Sequence, residues 1–469
     1  MIGQIAKKEI HHNLYSIRFP ALLVISVILF VLNGILAVTE PVQEIRMPRP
    51  STTRLTVSRQ HDALEFCAWG SNADRIQHAT VMIGGSISPQ TMDSPFQLPV
   101  RDRLAQFALP YADHIDWAFI IKIIFSLFAI IFTFDAVCWE REQGTLILMC
   151  SNPVSRSSVL LGKYLGACGT LLIPLMVGII LNLLVIVVVG GVMGTVSLQT
   201  EHWLRTGLLI LASVLYISLF ILLGLLVSSV AQRSSSSLLI LLSFWVALVV
   251  ILPNLAGILA EQTSKTESEY QLSRRQRQIW DLGGVSELNK QIDSGRITTQ
   301  EELDRAAEEL FIRIIKIMND IESEHRGALV AKHRSARRIA MVSPAAIYQY
   351  VGEAIADSGF ERQQRFLKSI RDYYLIYEDY VREKVGKVIP GCNWTFGMSR
   401  NIGGKEVYAT SPRPEEYKND MSGFPYFAEP RWSIMDSLRT SLHNLAILFL
   451  WSILFFVAAH YVFVKRSLR

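Results

Sequence analysis

Charge is missing from long parts of this sequence. Asp, Glu, Lys and Arg together make up 19% of its 469 residues, whereas 50% are apolar, and soluble domains usually carry about 25% charge. The deficit is concentrated in blocks at Phe19 to Val38, Trp117 to Val137, Leu171 to Val196, Thr206 to Val230, Ser235 to Ala260 and Leu442 to Val464. A helix needs about 20 residues to cross a bilayer, so these are six candidate spans. The first is read as a span and not as a signal peptide, because its core is span-length and Glu40-Pro41 ends it without a small-residue cleavage site. Cysteine is scarce too, with five residues in the chain, too few for a disulfide scaffold. The sequence also lacks a phosphate-binding loop. Gly162-Lys163-Tyr164 has neither the upstream glycine nor the hydroxyl that should follow the lysine. No His-Glu-x-x-His or Gly-x-Ser-x-Gly occurs, so no zinc peptidase or serine hydrolase chemistry is encoded. His11-His12 has no nearby cysteine or carboxylate cluster, and no metal site is expected. A net charge of +5, spread over a membrane protein, gives no basis for nucleic-acid binding.

The charges that are present fall into a pattern. Lys7, Lys8 and Arg18 precede the first span, Arg156 and Lys163 the third, Arg233 separates the fourth from the fifth, and Lys465, Arg466 and Arg469 follow the last. Six spans with both termini cytoplasmic put all of these on one side, in accord with the positive-inside bias. The expected organisation is an interfacial helix over 1–18, spans at 19–38, 116–138, 170–196, 206–230, 235–260 and 441–464, a short outer loop at 197–205 and a tail at 465–469. Residues 39–115 and 261–440 then lie outside, and 139–169 form a cytoplasmic element leading into the third span. The fold class is an all-α, six-span membrane protein with a mainly helical, α+β outer domain.

Along the chain, Ile2, Ile5, Ile10, Leu14 and Ile17 alternate with charge as an amphipathic interfacial helix would. The first outer segment reads as short extended pieces at Arg54 to Val57, Leu64 to Ala68 and Thr80 to Ile83, broken by glycine-containing turns. In the second, Thr298 with Glu301 reads as a capping box, followed by a stripe of Leu303, Ala307, Leu310, Ile314, Ile317 and Ile321. That stripe requires a helical partner, which the run from Glu267 to Trp280 can supply as an extension of the fifth span. Ser343-Pro344 starts another helix. Phe360 to Tyr380 adds an aromatic one whose Tyr373, Tyr374, Tyr377 and Tyr380 suit either helix packing or ligand binding. Asp135 lies near the inner end of the second span, where it reaches water or a neighbouring partner. Cys67 and Cys392 are the two cysteines on the outer side; a disulfide between them and two separate buried thiols both fit. Within 139–169, Glu140, Arg141 and Glu142 keep the segment at the membrane boundary. Gly144 permits a tight turn, Leu146 begins an apolar face, and Arg141 and Arg156 reach carboxylates on a partner or a neighbouring helix.

Trp139-Glu140-Arg141-Glu142-Gln143-Gly144-Thr145-Leu146, then Ser151-Asn152-Pro153-Val154-Ser155-Arg156 and Gly162-Lys163-Tyr164, resembles the membrane subunit of ABC exporters of the type-2 permease family. Ser343-Pro344 and the Asp357-Ser358-Gly359 turn further resemble a subfamily with a large insertion before the last span. Cys150 and Asn152 depart from the residues common there. The resemblance implies a bacterial inner-membrane permease, paired with a second copy or close homologue and driven by two copies of a separate ATPase that binds ATP and magnesium; this chain itself needs no cofactor. It implies a coupling helix in which Glu140, Arg141, Glu142, Gly144, Thr145, Leu146 and Arg156 meet the ATPase. The implied activity is export or extraction of a substrate, or alternatively transmission of movement to an outer domain that grips an envelope protein.

Overall fold

The computed structural model describes residues 2–39, 54–58, 78–82, 96–97, 116–145, 155–193, 200–263, 267, 269–279, 286–358, part of 360–379, 395–402, 405–410 and 433–465. Six helical segments are long and apolar enough to cross a membrane: Arg18–Val38, Trp117–Glu142, Arg156–Val192, Thr200–Val230, Ser234–Gln262 and Ile434–Lys465. The helices of the third, fourth and sixth spans begin before their apolar blocks, because polar first turns at Arg156, Thr200 and Ile434 continue the same backbone hydrogen bonding. The fourth span is the centre of the bundle. In its most apolar window 72% of residues are buried, against 11% in the fifth, whose outward side chains suit lipid or another subunit.

Close backbone approaches fix the bundle. A Cβ on Gly224 would lie 1.8 Å from Thr133 Oγ1, so the second and fourth spans meet where only hydrogen fits. The first and third spans share a buried polar centre: Asn182 Nδ2 donates to Phe30 O at 2.7 Å and to Asn33 Oδ1 at 2.8 Å. Trp117 Nε1 donates back to Asn182 Oδ1 at 3.2 Å. All of that amide's roles are used, which suits a group with no water to turn to. Two short π-helical turns, Ile120–Phe125 in the second span and Val246–Ile251 in the fifth, sit at the same level. Trp245 Nε1, at the edge of one, donates to Ser126 Oγ, at the edge of the other, at 2.8 Å.

Helix α1 (Ile2–Leu14) lies along the start of the third span. Its Ile5, Glu9 and Ile10 cover Gly162, Gly166 and Gly169 in turn. Outside the spans come α2 (Glu269–Gln278), α3 (Ser286–Asp293), the 41-residue α4 (Gln300–Ala340) and α5 (Pro344–Ile355). The N-cap of α4 is Thr299, with Glu302 completing the capping box, one residue later than Thr298 and Glu301 suggest. Leu303, Leu310, Ile314 and Ile321 are buried as their spacing requires, while Ile317 is 39% exposed. The partner of α4 is the end of the fifth span, where Lys332 pairs with Glu261 at 3.1 Å. Arg275 of α2 reaches Glu324 at 4.0 Å.

Ser343 caps α5 and Pro344 occupies its first turn. At 12 residues, α5 is too short to cross a bilayer, yet it packs on the fourth and sixth spans with Ala345, Ile347, Tyr348, Val351 and Ile355 buried. The Tyr348 ring stacks on Tyr216 with centroids 4.5 Å apart, and the two hydroxyls of Tyr348 and Ser213 are 2.8 Å apart. Short strands complete the described residues: β1 (Arg54–Ser58), β2 (His78–Met82) and β3 (Phe96–Gln97) pair antiparallel, as do β4 (Thr395–Ile402) and β5 (Lys405–Thr410). What these elements establish is an all-α, six-span membrane protein with a large non-membrane region. Leu64 to Ala68, Cys67, Cys392, Tyr374, Tyr377 and Tyr380 lie outside the described residues, as does the side chain of Ala307; Tyr373 is buried.

The α1 contact gives a direct test. A Cβ on Gly166 would sit 2.5 Å from the Glu9 Cβ, whereas nothing lies within 4 Å of one on Gly207. Gly166→Val should displace α1 and expose its backbone to protease, while Gly207→Ala should leave digestion unchanged. Equal digestion of both variants would remove the contact.

Candidate functional site

The polar residues around 139–169 converge at the end of the bundle that carries α1. Here the second span breaks and restarts. After the turn at 134–137, helix resumes over Cys138–Glu142. Restarting leaves backbone donors without helical partners, and the fourth span supplies one: Ser228 Oγ accepts from Val137 N at 3.0 Å and from Cys138 N at 3.2 Å.

Arg141 and Glu142 then address two opposite helix ends. Arg141 donates to Ala231 O at 2.8 Å and Ser229 O at 3.2 Å, where the carbonyls of the fourth span run out. Glu142 accepts from Ser234 N at 2.7 Å and Ser234 Oγ at 3.0 Å, where the fifth span begins. A cation at a helix C-terminus and an anion at an N-terminus are each favourable, and here adjacent residues supply both. Arg233, the formal cap residue of the fifth span, makes no side-chain capping bond, so Glu142 takes that task from a distance.

Glu140 points the other way. Lys163 Nζ, on the third span, donates to Glu140 Oε1 at 2.9 Å and to Glu9 Oε1 of α1 at 2.8 Å. The Lys163 side chain is only 3% exposed, so one buried ammonium binds three elements. A second ion pair lies beside it: Arg18 donates to Asp135 Oδ2 at 2.7 Å and to Ile131 O at 2.9 Å, and its guanidinium covers the Phe134 ring. Asp135 is thus partnered, as one of its two expected environments requires. Arg156 donates to Val464 O at 2.6 Å and caps the sixth span, and Ser157 Oγ lies 2.7 Å from His460 Nε2.

Of the side chains expected to face a partner, Glu140, Arg141, Glu142 and Arg156 are engaged with this chain's own helices. Glu142 is exposed as well, as are Gly144 and Thr145 and, beside them, Trp139 and Gln143. Gly144 has φ +68°, the left-handed conformation that glycine adopts without cost, and Thr145 Oγ1 donates to Glu140 O at 3.2 Å. Leu146 lies outside the described residues. Sequence reasoning missed Glu9 and Ser228 altogether and registered Lys163 only as one of the basic residues near a span.

Among the described residues no group of three or more His, Cys, Asp or Glu side chains is placed to hold a metal. What the described residues show is a six-span bundle whose helix ends are tied together by polar side chains. Residues 4–468 match the family described as ABC-2 family transporter protein, and the chain belongs to that family of non-catalytic transporter subunits. No curated protein matches it.

Lys163 offers the sharpest test of the cluster. Removing one member of a buried ion pair typically costs about 3–5 kcal/mol. Lys163→Met should therefore lower the melting temperature of the purified protein markedly, and adding Glu9→Gln and Glu140→Gln should restore much of the loss. A single variant as stable as the parent would show that the cluster contributes nothing.

Proposed function

We propose that the chain is the permease subunit of an ATP-driven exporter and that residues 139–145, continuing through Leu146, form its contact with a separate ATPase. The observation that carries this reading is the connectivity of the segment. Its exposed tip is free to meet a partner, while Glu140 binds Lys163 of the third span, which also holds Glu9 of α1, and Arg141 and Glu142 bind the fourth and fifth spans. A push on the tip reaches all of these elements through short, charge-assisted bonds, which are stronger than neutral ones. In this reading Glu140, Arg141, Glu142 and Arg156 transmit force, and Trp139, Gly144, Thr145 and Leu146 make the contact.

The α1 end faces the cytoplasm of a bacterial inner membrane, with both termini inside, and residues 39–115 and 261–440 form the α+β outer region. ATP and magnesium belong to the ATPase, two copies of which act on a pair of permeases formed by this chain and a second copy or close homologue. Paired permeases agree with the weakly buried fifth span, which leaves an apolar face available.

One feature favours mechanical transmission as a second reading. Helix α4 has 41 residues, a length of about 60 Å at 1.5 Å per residue, and it stands on the end of the fifth span. Tilting that span would swing the far end of α4 against an envelope protein, whether or not a substrate crosses the spans.

The contact is tested on the purified permease–ATPase complex. Trp139→Ala and Thr145→Arg should leave the melting temperature of the permease unchanged and reduce ATPase retention at least tenfold. Retention equal to that of the parent in both variants would exclude the segment as the docking element.

A further inference from the structure

Helix α1 has two faces, and the chain itself uses one of them. Ile5, Ala6, Glu9 and Ile10 lie against the glycines of the third span, and Asn13 Nδ2 donates to Thr170 Oγ1 at 3.4 Å. The apolar side of the helix is therefore spent on protein and not on lipid. The opposite side carries Lys7, Lys8, His11, His12 and Tyr15, which recur at i, i+1, i+4, i+5 and i+8 and so form one continuous face. All of these side chains are exposed.

No described carboxylate answers this face. The acidic residues described at this end of the bundle are committed elsewhere: Glu9 and Glu140 to Lys163, Asp135 to Arg18, and Glu142 to Ser234. Among the described residues Lys7 and Lys8 make no ion pair or hydrogen bond, and His11 meets the Tyr15 ring with centroids 4.6 Å apart. The position of the face indicates what covers it. Tyr15 and Ile17, 81% and 86% exposed, occupy the turn between α1 and the first span. An aromatic and an aliphatic side chain left that open immediately before a span suit the interfacial layer of a bilayer. Lys7 lies about 12 Å from Tyr15 along a helix axis, a range covered by the headgroup layer and the reach of a flexible lysine stem.

We propose that this face of α1 binds the headgroups of anionic phospholipids, with the Lys7 and Lys8 ammoniums on the phosphates and the ring N–H groups of His11 and His12 as further donors. Each lysine close to an anionic membrane surface strengthens binding roughly fivefold. An acidic soluble protein would match the charge, but it would leave Tyr15 and Ile17 in water. Lipid bound here is linked to the Lys163 cluster, because Glu9 leaves the other side of the same helix. The inference does not rest on ATPase docking and requires only that α1 flank a span.

The experiment places the purified full chain in nanodiscs of phosphatidylcholine, with or without added phosphatidylglycerol, and reads acylation of individual lysines by an uncharged reagent through peptide mass spectrometry. Phosphatidylglycerol should slow acylation of Lys7 and Lys8 at least threefold, and high salt should remove the protection. Lys316, exposed on α4 and about 36 Å along that helix from the contact of Ala340 with Ala256 of the fifth span, should react equally in both lipids. In non-ionic detergent the parent should bind dihexanoylphosphatidylglycerol saturably and dihexanoylphosphatidylcholine not at all. The double variant Lys7→Gln, Lys8→Gln removes no bond inside the protein, so its melting temperature should equal that of the parent, while its affinity for dihexanoylphosphatidylglycerol should fall at least tenfold. Equal acylation of Lys7 and Lys8 in the two lipids, or unchanged affinity in the double variant, would overturn the proposal. Protection that appears only when the ATPase is added would overturn it too, and would assign the face to a protein partner.

Discussion

One buried ammonium organises the end of the bundle that carries α1. Lys163 belongs to the third span, but its two partners belong to the N-terminal helix and to the restarted end of the second span. Water cannot replace either partner for a side chain that is 3% exposed, so the three elements hold their arrangement together or lose it together. The glycines of the third span act in the same direction. Gly162, Gly166 and Gly169 let α1 come close enough for Glu9 to reach the lysine at all. Small residues and a central cation are thus two parts of one requirement, since the ion pair needs the close approach and the close approach supplies little directional force of its own.

Around that cation the segment uses helix ends as attachment points. Arg141 takes the last carbonyls of the fourth span, Glu142 the first donors of the fifth, and Arg156 a carbonyl near the end of the sixth. Each of these groups is one that a helix terminus leaves unsatisfied, so the attachments cost no internal hydrogen bond. The far end follows a different rule. There α5 is held by apolar burial and by Tyr348, and it also meets both π turns: its cap Ser343 Oγ donates to the backbone of one at Leu248 O, and the Lys122 side chain of the other donates to Gln349 Oε1 of α5. Irregular backbone at membrane depth persists where protein covers it, and α5 provides that cover. The same helix therefore covers two irregular turns.

Much of the architecture was legible in the sequence. Length and apolarity determine six spans, and Ser343-Pro344 specifies the start of α5 because a hydroxyl cap and a fixed φ are both local properties. Local degeneracy accounts for the displaced capping box. Thr298 and Thr299 precede Glu301 and Glu302, and either register satisfies the pattern, so the fold selects between them. The site was less legible. Lys163 finds its partners 154 and 23 residues away, and no spacing rule reaches that far. Arg141, Glu142 and Arg156 carry charges of the kind that solvated or partner-facing residues carry, and only the positions of helix ends show that they serve this chain. The π turns have no pattern that marks them, since Val246–Ile251 reads as unbroken apolar span and Ile120–Phe125 is interrupted only by Lys122. The burial of α5 was hidden for the converse reason, because a helix too short to span resembles an ordinary helix outside the membrane.

In the proposed permease–ATPase complex, α1 and the start of the third span, joined through Lys163, move as one rigid unit. Spin labels at Gly3 and Ser155, both exposed and neither assigned to the ATPase contact nor bonded to Lys163, report on that unit in the purified complex by pulsed dipolar spectroscopy. One narrow distance distribution between them is expected to stay the same with and without a non-hydrolysable ATP analogue, while the distance between Ser155 labels on paired permeases changes. A Gly3 to Ser155 distance that shifts or broadens on nucleotide binding would contradict this, since the elements joined by Lys163 would then be moving independently.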